Sequence, residues 1–545
     1  MKTDNIFKKI DLVFACFCLF LVFFSLVIYS NESVYQLDIW LHLRTGEWIF
    51  ANNAIPHQDI YSFVYFGNKW LDHEWLFQVI TYCFFAASGF PGLLLMQTIV
   101  SVIVFLIFLF IGYRTKEYLI SLVPLLLCLY LFRIRFMRPE IFSLLFLAVY
   151  LLIIDRYLHS KWFPFVLIPV QILWVNMHGF FFIGPLLILL LVIGDFIKSK
   201  IKLPLDWNAS HKLDDHTRKK LICLFLYLIL ACLVNPYFWE GALYPLKIFF
   251  SLSGESKVFF KDIVELRPPI TIERGMFAKI AASNYLIHYI ILVIISLLSF
   301  RLNKKNTDIF HIVIWVFFFI LATISIRNVA FFGFIAYFIF SQNMRESFSL
   351  PPKTSLLPSE KVRYVLKWLL TIFIIMFLLT DVARFLNARF FIFDNYEFSR
   401  QFGGSTKFIF PEKAVDFILA NKIKGNIYNE FNSGAYLIGR CSPGIKVFID
   451  GRTEAYDVNF YKEYARIMDG DTALLEEKLK KYDLKVALLN SALSEVPAAV
   501  LNYFYNHADW KLVFFDEFGL VFLKDVKENK AIIDRFTIDL RNWQP

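Results

Sequence analysis

Asp38 and His42 are the first side chains along the chain whose types and spacing could support acid–base chemistry. They lie four residues apart in a segment predicted to be a helix, so they share one face of it. Asp59, His73 and Glu74 follow in the same stretch of sequence. Carboxylate and imidazole groups can accept a proton from a hydroxyl group, which makes all five residues candidates for proton transfer. Asp38 is the strongest candidate, and capping or hydrogen bonding is the simpler role for any one of the others.

Four arginines lie at the ends of apolar segments, outside the basic loops. They are Arg133, Arg135, Arg138 and Arg327. An arginine inside a membrane costs about 2.5–3.5 kcal/mol on insertion scales, so it needs a partner. The planar guanidinium group matches a phosphate group in geometry, and a phosphate is therefore one predicted partner. The alternatives are that these side chains extend to lipid headgroups or pair with Glu140.

Two further pairs of polar residues are candidates for substrate binding, together with Asp59. Asn176 and His178 stand in a turn between two apolar segments, on the predicted membrane face of the arginines. Asp450 and Arg452 stand at the C-terminal end of a predicted strand, where open α/β sheets usually place binding residues. The alternatives are a structural role for the histidine and an ordinary ion pair in a strand–turn for Asp450 and Arg452.

The elements that must position these residues are mostly membrane helices. Of the 545 residues, 58% are hydrophobic, against about 45–50% in soluble domains. A helix rises about 1.5 Å per residue, so many of the apolar runs can cross a hydrocarbon layer of roughly 30 Å. They predict about eleven transmembrane helices, at roughly 12–30, 92–113, 117–133, 140–155, 162–176, 180–197, 219–235, 279–299, 309–325, 329–343 and 365–381.

The distribution of charge predicts the orientation in the membrane. The formal net charge is +10, and residues 382–545 hold 22 basic and 22 acidic side chains, so the excess lies in the first 381 residues. Nearly all of the loop basicity falls on one predicted side, which the positive-inside rule assigns to the cytoplasm. We expect a cytoplasmic N-terminus and an extracytoplasmic C-terminal segment in a plasma (inner) membrane.

Residues 382–545 differ in pattern from the rest of the chain. Short β-rich runs alternate with helical patterns there, which indicates a small α/β sheet. The predicted domains are a transmembrane domain at 1–381, with a first outer loop at 31–91, and an extracytoplasmic α/β domain at 382–545.

Several classes of protein are excluded by the motifs. A zinc-protease motif fails because Phe77 stands where a second histidine is needed. The Asp-Gly-Asp sequence at 469–471 matches the D-x-D motif of nucleotide-sugar enzymes, but it is more simply a turn between two helices. The seven cysteines form no metal-binding pattern. No basic stripe interleaved with aromatic residues is present, so we expect no nucleic-acid partner.

The chain resembles the GT-C class of membrane glycosyltransferases, and more closely a group of GT-C-like bacterial membrane proteins of unassigned activity. An early aspartate in a long outer loop, many helices and an outer C-terminal domain carry the resemblance. The strings shared with the closer group are at 38–48, 59–63, 73–76, 138–140, 174–179, 235–236, 327–328 and 448–452.

The resemblance implies a glycosyltransferase that moves a sugar from a polyprenyl-phosphate donor to a glycan, lipid or protein acceptor at the outer membrane face. It implies that Asp38 is the base acting on the acceptor hydroxyl. Many members have two adjacent acids where Asp38 is followed by Ile39, which leaves a divalent metal cofactor open. The alternative function is a non-catalytic membrane protein of the same fold, either a lipid-phosphate transporter or an assembly subunit.

Overall fold

The protein is described here from a computed structural model. It describes residues 2–112, 118–132, 137–251, 266–270, 284–349, 360–387, 403–405, 410–490 and 496–540. The chain forms two compact units, which we call the helical unit and the α/β unit. The helical unit comprises Met1–Glu32, Leu94–Pro245 and Ile263–Ile392, and the α/β unit comprises Ser33–Leu93, Leu246–Asp262 and Phe393–Pro545.

The described residues are mostly helical. In chain order the helices are α1 (Lys2–Ser30), α2 (Ile39–Asn52), α3 (Trp75–Ser88), α4 (Phe90–Gly112), α5 (Tyr118–Phe132), α6 (Glu140–Leu152), α7 (Phe163–Val175), α8 (Ile183–Lys200), α9 (Asp215–Ala231), α10 (Trp239–Ala242), α11 (Tyr244–Ser251), α12 (Asn284–Leu302), α13 (Ile309–Ile324), α14 (Val329–Ser349), α15 (Glu360–Leu386), α16 (Glu412–Ala420), α17 (Phe431–Cys441), α18 (Val458–Met468), α19 (Thr472–Lys481), α20 (Ala498–Asn506) and α21 (Lys530–Phe536).

The helical unit carries the apolar helices that the sequence predicts. Within the described ranges, four helices are long and apolar enough to cross a membrane, at Leu12–Ser30, Phe90–Gly112, Gly179–Lys200 and Tyr285–Leu302. Large apolar side chains such as Phe20 and Phe165 are exposed on this unit, as expected for a surface that contacts lipid. The prediction of a helical membrane protein is confirmed in its class, and the count of eleven spans stays a prediction.

The α/β unit contains a five-stranded sheet in the order β2-β1-β3-β5-β4. Its strands are β1 (Gly425–Asn429), β2 (Ile445–Val447), β3 (Val486–Leu489), β4 (Trp510–Phe515) and β5 (Leu520–Lys524). Strands β1, β2 and β3 are parallel because helices connect them, whereas β5 runs antiparallel to β3 and β4. The predicted α/β sheet is confirmed, although α17 and α21 were not predicted.

Residues of the first predicted outer loop complete this sheet at its β2 edge. The amide of Val447 donates to the carbonyl of Tyr61 at 3.1 Å, and the amide of Phe63 donates to the carbonyl of Val447 at 3.2 Å. An exposed strand edge leaves unpaired backbone groups, so this bridge satisfies part of the edge. The loop therefore folds with the sheet in one compact unit. The predicted domains at 1–381 and 382–545 stay a prediction.

Helix α2 packs on helix α17 within the same unit. The Trp40 ring lies edge-on to Tyr436, with ring centroids 5.1 Å apart. A Cβ atom on residue 439 would lie 2.7 Å from the Cβ of Trp40, so only glycine permits this approach. The packing fixes α2, which Asp38 precedes, against the helix that follows β1.

Candidate active site

Asp38 lies against the backbone of Gly451 in the α/β unit. Asp38 immediately precedes α2, and its carbonyl accepts a hydrogen bond from the amide of His42 at 3.1 Å. A Cβ atom on residue 451 would lie only 2.6 Å from Asp38 Oδ1. The fold thus brings Asp38, the strongest candidate for proton transfer, close to the carboxyl end of β2. The predicted substrate-binding residues Asp450 and Arg452 also follow this strand.

Arg452 is buried among two carboxylates. It donates to Asp450 from Nε at 2.8 Å and from Nη2 at 2.7 Å, and to Asp59 from Nη1 at 2.8 Å. Its guanidinium group lies over the rings of Trp70 and Tyr61, at 4.7 and 5.2 Å from the centroids. A guanidinium group that is hydrogen-bonded and stacked in this way is held in one orientation.

The charge of Arg452 keeps Asp59 ionised. Burial would raise the pKa of Asp59, but the nearby guanidinium charge and a hydrogen bond from Ser62 outweigh it and lower that pKa. The hydroxyl of Tyr456 also donates to Asp450, at 2.6 Å. The structure therefore brings Asp59, Asp450 and Arg452 together in a buried network that joins the first loop to the turn after β2. Their role in binding a substrate stays a prediction.

A second group of titratable side chains surrounds Glu74, which precedes α3. His73 Nε2 lies 3.3 Å from Glu74 Oε1, and His42 Nε2 lies 4.0 Å from Glu74 Oε2. Burial would lower the pKa of His73, but the adjacent Glu74 carboxylate outweighs this effect and raises it. Three of the five predicted acid–base residues, His42, His73 and Glu74, thus lie close together, and their catalytic role stays a prediction.

Two carboxylates that the sequence analysis did not select lie close to this group. Burial raises the pKa of Asp72 to about 7, and its Oδ1 accepts a hydrogen bond from Gln78 at 2.8 Å. Burial also raises the pKa of Glu454, which accepts a hydrogen bond from Trp70 at 3.3 Å. A positive charge on His73 opposes this rise in pKa for both carboxyl groups. Asp72 is adjacent to His73 in sequence, a signal that could have identified it; Glu454 was recognisable only as a neighbour of Arg452.

In the helical unit, Arg327 pairs with Glu140. Glu140 is fully buried in the first turn of α6, where the helix dipole favours a negative charge. Arg327 belongs to the short 3₁₀ turn Ile326–Asn328 between α13 and α14, and its Nε donates to Glu140 Oε1. Arg138 stands two residues before Glu140 and is partly buried. The alternative of pairing with Glu140 therefore applies to Arg327. Arg133 and Arg135 lie outside the described residues.

His178 and Asn176 lie near the same end of α6. Ser143, three residues after Glu140, is 2.8 Å from His178 Nδ1 and accepts a hydrogen bond from Trp174 Nε1 at 2.8 Å. Asn176 donates to the carbonyl of Val234 at 2.8 Å, which joins the ends of α7 and α9. The helical unit thus brings Arg327, Glu140 and His178 together at one helix end, whereas the side chain of Asn176 has a structural contact. Substrate binding by any of them stays a prediction.

The part of the chain that the structure describes contains no obvious set of metal ligands. Within it, no group of three or more histidine, cysteine, aspartate or glutamate side chains could hold a metal ion. No described residue is therefore assigned to a metal ion.

Comparison with solved structures identifies the fold. The archaeal oligosaccharyltransferase AglB from Archaeoglobus fulgidus, in complex with an inhibitory peptide and a dolichol-phosphate, matches with a TM-score of 0.58 and 12% identity over 92% of this chain and 74% of that chain. ArnT from Cupriavidus metallidurans, bound to undecaprenyl phosphate, matches with a TM-score of 0.50 and 11% identity over 94% and 98%.

Both of these proteins are GT-C glycosyltransferases, so the predicted resemblance is confirmed at the level of the fold. The apo form of the Archaeoglobus fulgidus enzyme also matches, with a TM-score of 0.53 and 12% identity over 87% of this chain and 69% of that chain. No protein-family model matches the sequence, and no curated protein matches it.

Proposed function

We propose, from the GT-C-like fold of the chain, that it is a membrane glycosyltransferase that moves a sugar from a polyprenyl-phosphate donor to an acceptor. Two proteins that share the fold along at least 92% of this chain were solved with dolichol-phosphate and with undecaprenyl phosphate. A lipid-linked phosphate is therefore the donor class that the comparison favours. The proposed location is the outer face of a bacterial plasma membrane, with about eleven spans, a cytoplasmic N-terminus and an extracytoplasmic α/β unit.

The observation that carries the proposal is the position of Asp38. Its carboxylate lies at the carboxyl end of β2, beside Gly451. Open α/β sheets usually bind ligands at this edge. A carboxylate there can accept the proton of an acceptor hydroxyl group as the hydroxyl oxygen attacks the anomeric carbon of the sugar. The bond from that carbon to the phosphate oxygen breaks, and its electron pair leaves with the polyprenyl phosphate.

The leaving phosphate needs compensation for its developing charge. The sequence predicts four arginine side chains for this role, Arg133, Arg135, Arg138 and Arg327, of which Arg138 and Arg327 are among the described residues. A fixed guanidinium group stabilises charge that develops on a phosphate without reorganising during the reaction. Glu140 supports this role because it fixes the orientation of the Arg327 guanidinium group.

The groups around Glu74 have a supporting role in this mechanism. His42 is one helical turn from Asp38, and its Nε2 lies 4.0 Å from Glu74 Oε2. Glu74 Oε1 in turn lies 3.3 Å from His73 Nε2. We propose that they tune the charge near Asp38. Asp450, Arg452 and Asp59 would hold the first loop to the sheet and shape the acceptor side.

The proposal is tested in cells from which the endogenous copy and any redundant enzyme have been deleted. Such cells are complemented with the wild type, with Asp38→Asn, or with Asp469→Asn, a variant at an exposed aspartate of the same unit. Lipid-linked sugars and envelope glycans are compared by mass spectrometry. We expect wild type and Asp469→Asn to restore one glycan and Asp38→Asn to accumulate its lipid-linked precursor.

The same comparison separates the enzyme from the alternative function. A non-catalytic transporter or assembly subunit does not need a proton acceptor at position 38. If Asp38→Asn restores the glycan profile as fully as the wild type does, the catalytic proposal is wrong. The transporter or subunit would then be the better account of the shared fold.

A further inference from the structure

Gly451 leaves space for one neighbouring group, the carboxylate of Asp38. A Cβ atom on residue 451 would lie 2.6 Å from Asp38 Oδ1 and 3.6 Å from its Cγ. Apart from the chain neighbours of residue 451, no other described atom lies within 4 Å of that position. The carboxylate of Asp38 therefore packs directly against the backbone of residue 451.

Gly451 belongs to a turn that several hydrogen bonds hold in place. Asn429 Nδ2 donates to the carbonyl of Ile449 at 2.7 Å, which attaches the start of the turn to the end of β1. The amide of Arg452 donates to Asp450 Oδ1 at 3.0 Å, and the Arg452 guanidinium group binds the same carboxylate. The amide of Thr453 then donates to the carbonyl of Gly451 at 3.0 Å. A turn with these hydrogen bonds resists displacement by a side chain.

Helix α17 supports both the turn and the helix that Asp38 precedes. A Cβ atom on Gly434 would lie 2.2 Å from the carbonyl oxygen of Ile449, so α17 approaches the turn backbone to backbone. Five residues further on, Gly439 has the close approach to Trp40 described above. Two glycines of one rigid helix thus set the positions of the Gly451 turn and of α2.

We propose that the Asp450-Gly451-Arg452 turn of the α/β unit positions the carboxylate of Asp38 for proton transfer, with Gly451 as the positioning residue. This proposal rests on the proposed function, in which Asp38 is the base. It assigns to the C-terminal segment a direct part in the reaction, beyond shaping the acceptor side. It also gives a physical reason for glycine between Asp450 and Arg452.

A single methyl group is the sharpest test of this role. In Gly451→Ala the Asp38 oxygen must retreat from 2.6 Å to an ordinary contact of 3.4 Å, a displacement of 0.8 Å. Because the displaced atom is the end of a side chain, the turn itself need not move. A displacement of about 1 Å in a reacting group can reduce turnover about a hundredfold.

The first experiment measures the contact without using activity. Thermal unfolding midpoints of the purified full-length chain are measured for Gly451→Ala, Asp38→Ala and the double variant. We expect Gly451→Ala to lower the midpoint in the wild-type background and to have no effect in the Asp38→Ala background, where the carboxylate is absent. An equal change in both backgrounds, including no change, would overturn the proposal.

The second experiment measures catalysis with undecaprenyl-phosphate-linked hexoses and pentoses as donors. We expect Gly451→Ala to lower kcat about a hundredfold, to leave KM for the donor nearly unchanged and to shift the acidic limb of the pH–rate profile. Gly444→Ala, where the added Cβ would make an ordinary 3.4 Å contact, is the control and should behave as wild type.

The two experiments distinguish the positioning proposal from the proposed function. Wild-type kcat in Gly451→Ala, together with an inactive Asp38→Asn, would refute the positioning role and leave the function intact. Wild-type kcat in Asp38→Asn would refute the function itself. The thermal comparison would then still decide whether the Gly451 turn holds the Asp38 carboxylate.

Discussion

Replacement of Arg452 by methionine tests whether the buried network joins the first loop to the sheet. Methionine keeps most of the apolar stem but removes the charge that two buried carboxylates share. Asp450 and Asp59 have side chains that are 0% and 1% exposed. Breaking a buried ion pair by removing one partner costs about 3–5 kcal/mol, because the remaining charge is left uncompensated. We expect Arg452→Met to lower the free energy of unfolding of the α/β unit by about that amount.

The pH dependence of this loss follows from the pKa of Asp59. That pKa is lowered from its ordinary value of 3.8, so ionised Asp59 stabilises the fold above this pH, and the contribution disappears as the pH falls through the lowered pKa. In Arg452→Met the guanidinium charge is absent, and burial raises the pKa of Asp59 instead. The difference between wild type and variant should therefore narrow as the pH falls from 7 towards 3.8.

The assay is urea unfolding of the full-length chain, followed by tryptophan fluorescence, since Trp70 lies beside the Arg452 guanidinium group. Arg466→Met is the control. The Arg466 side chain is 65% exposed and pairs with Asp471, and exposed ion pairs contribute about 0–1 kcal/mol to the free energy of unfolding. Adding Asp59→Asn to Arg452→Met should recover part of the loss. If Arg452→Met costs no more than the control, or if the gap does not narrow in acid, the reasoning is wrong.

Three further predictions concern other parts of the chain. Asp72→Asn should flatten the pH dependence of the urea midpoint between pH 3.8 and about 7, because the raised pKa of Asp72 makes the wild type lose stability as the pH rises through that window. Glu140→Gln should destabilise the helical unit by about 1.5–3 kcal/mol in thermal unfolding, with little added effect from Arg327→Gln in the same chain. Gly439→Ala should cost about 1–3 kcal/mol by overpacking, whereas Gly444→Ala should be neutral in the same measurement.

Much of the fold could be predicted because apolar periodicity records it locally. Each of the eleven predicted membrane segments overlaps a helix of the structure, and the sheet lies within residues 382–545, where β-rich runs are predicted. Helix α17 was not predicted, because its sequence contains two glycines, Gly434 and Gly439, which lower helix propensity. Those glycines serve tertiary contacts, and a single sequence does not reveal such contacts.

The candidate site could be predicted only in part, for a related reason. Asp38, His42, His73 and Glu74 were identifiable because residue type and short spacing are local properties. The contact between Asp38 and Gly451 joins residues that are far apart in sequence, and local patterns carry no record of it. Arg452 was identified as a candidate, but its burial among Asp450, Asp59 and the aromatic rings appears only in the folded chain.

The most direct test of the central claim is sugar transfer by the purified full-length chain in lipid vesicles. Undecaprenyl-phosphate sugars labelled in the sugar are supplied with the acceptor found in the cellular comparison, and release of undecaprenyl phosphate is followed. Loss of a general base typically costs about 10²–10⁴ in rate, so Asp38→Asn should lose that factor while Asp469→Asn turns over as wild type. Equal turnover by wild type and Asp38→Asn would contradict the account.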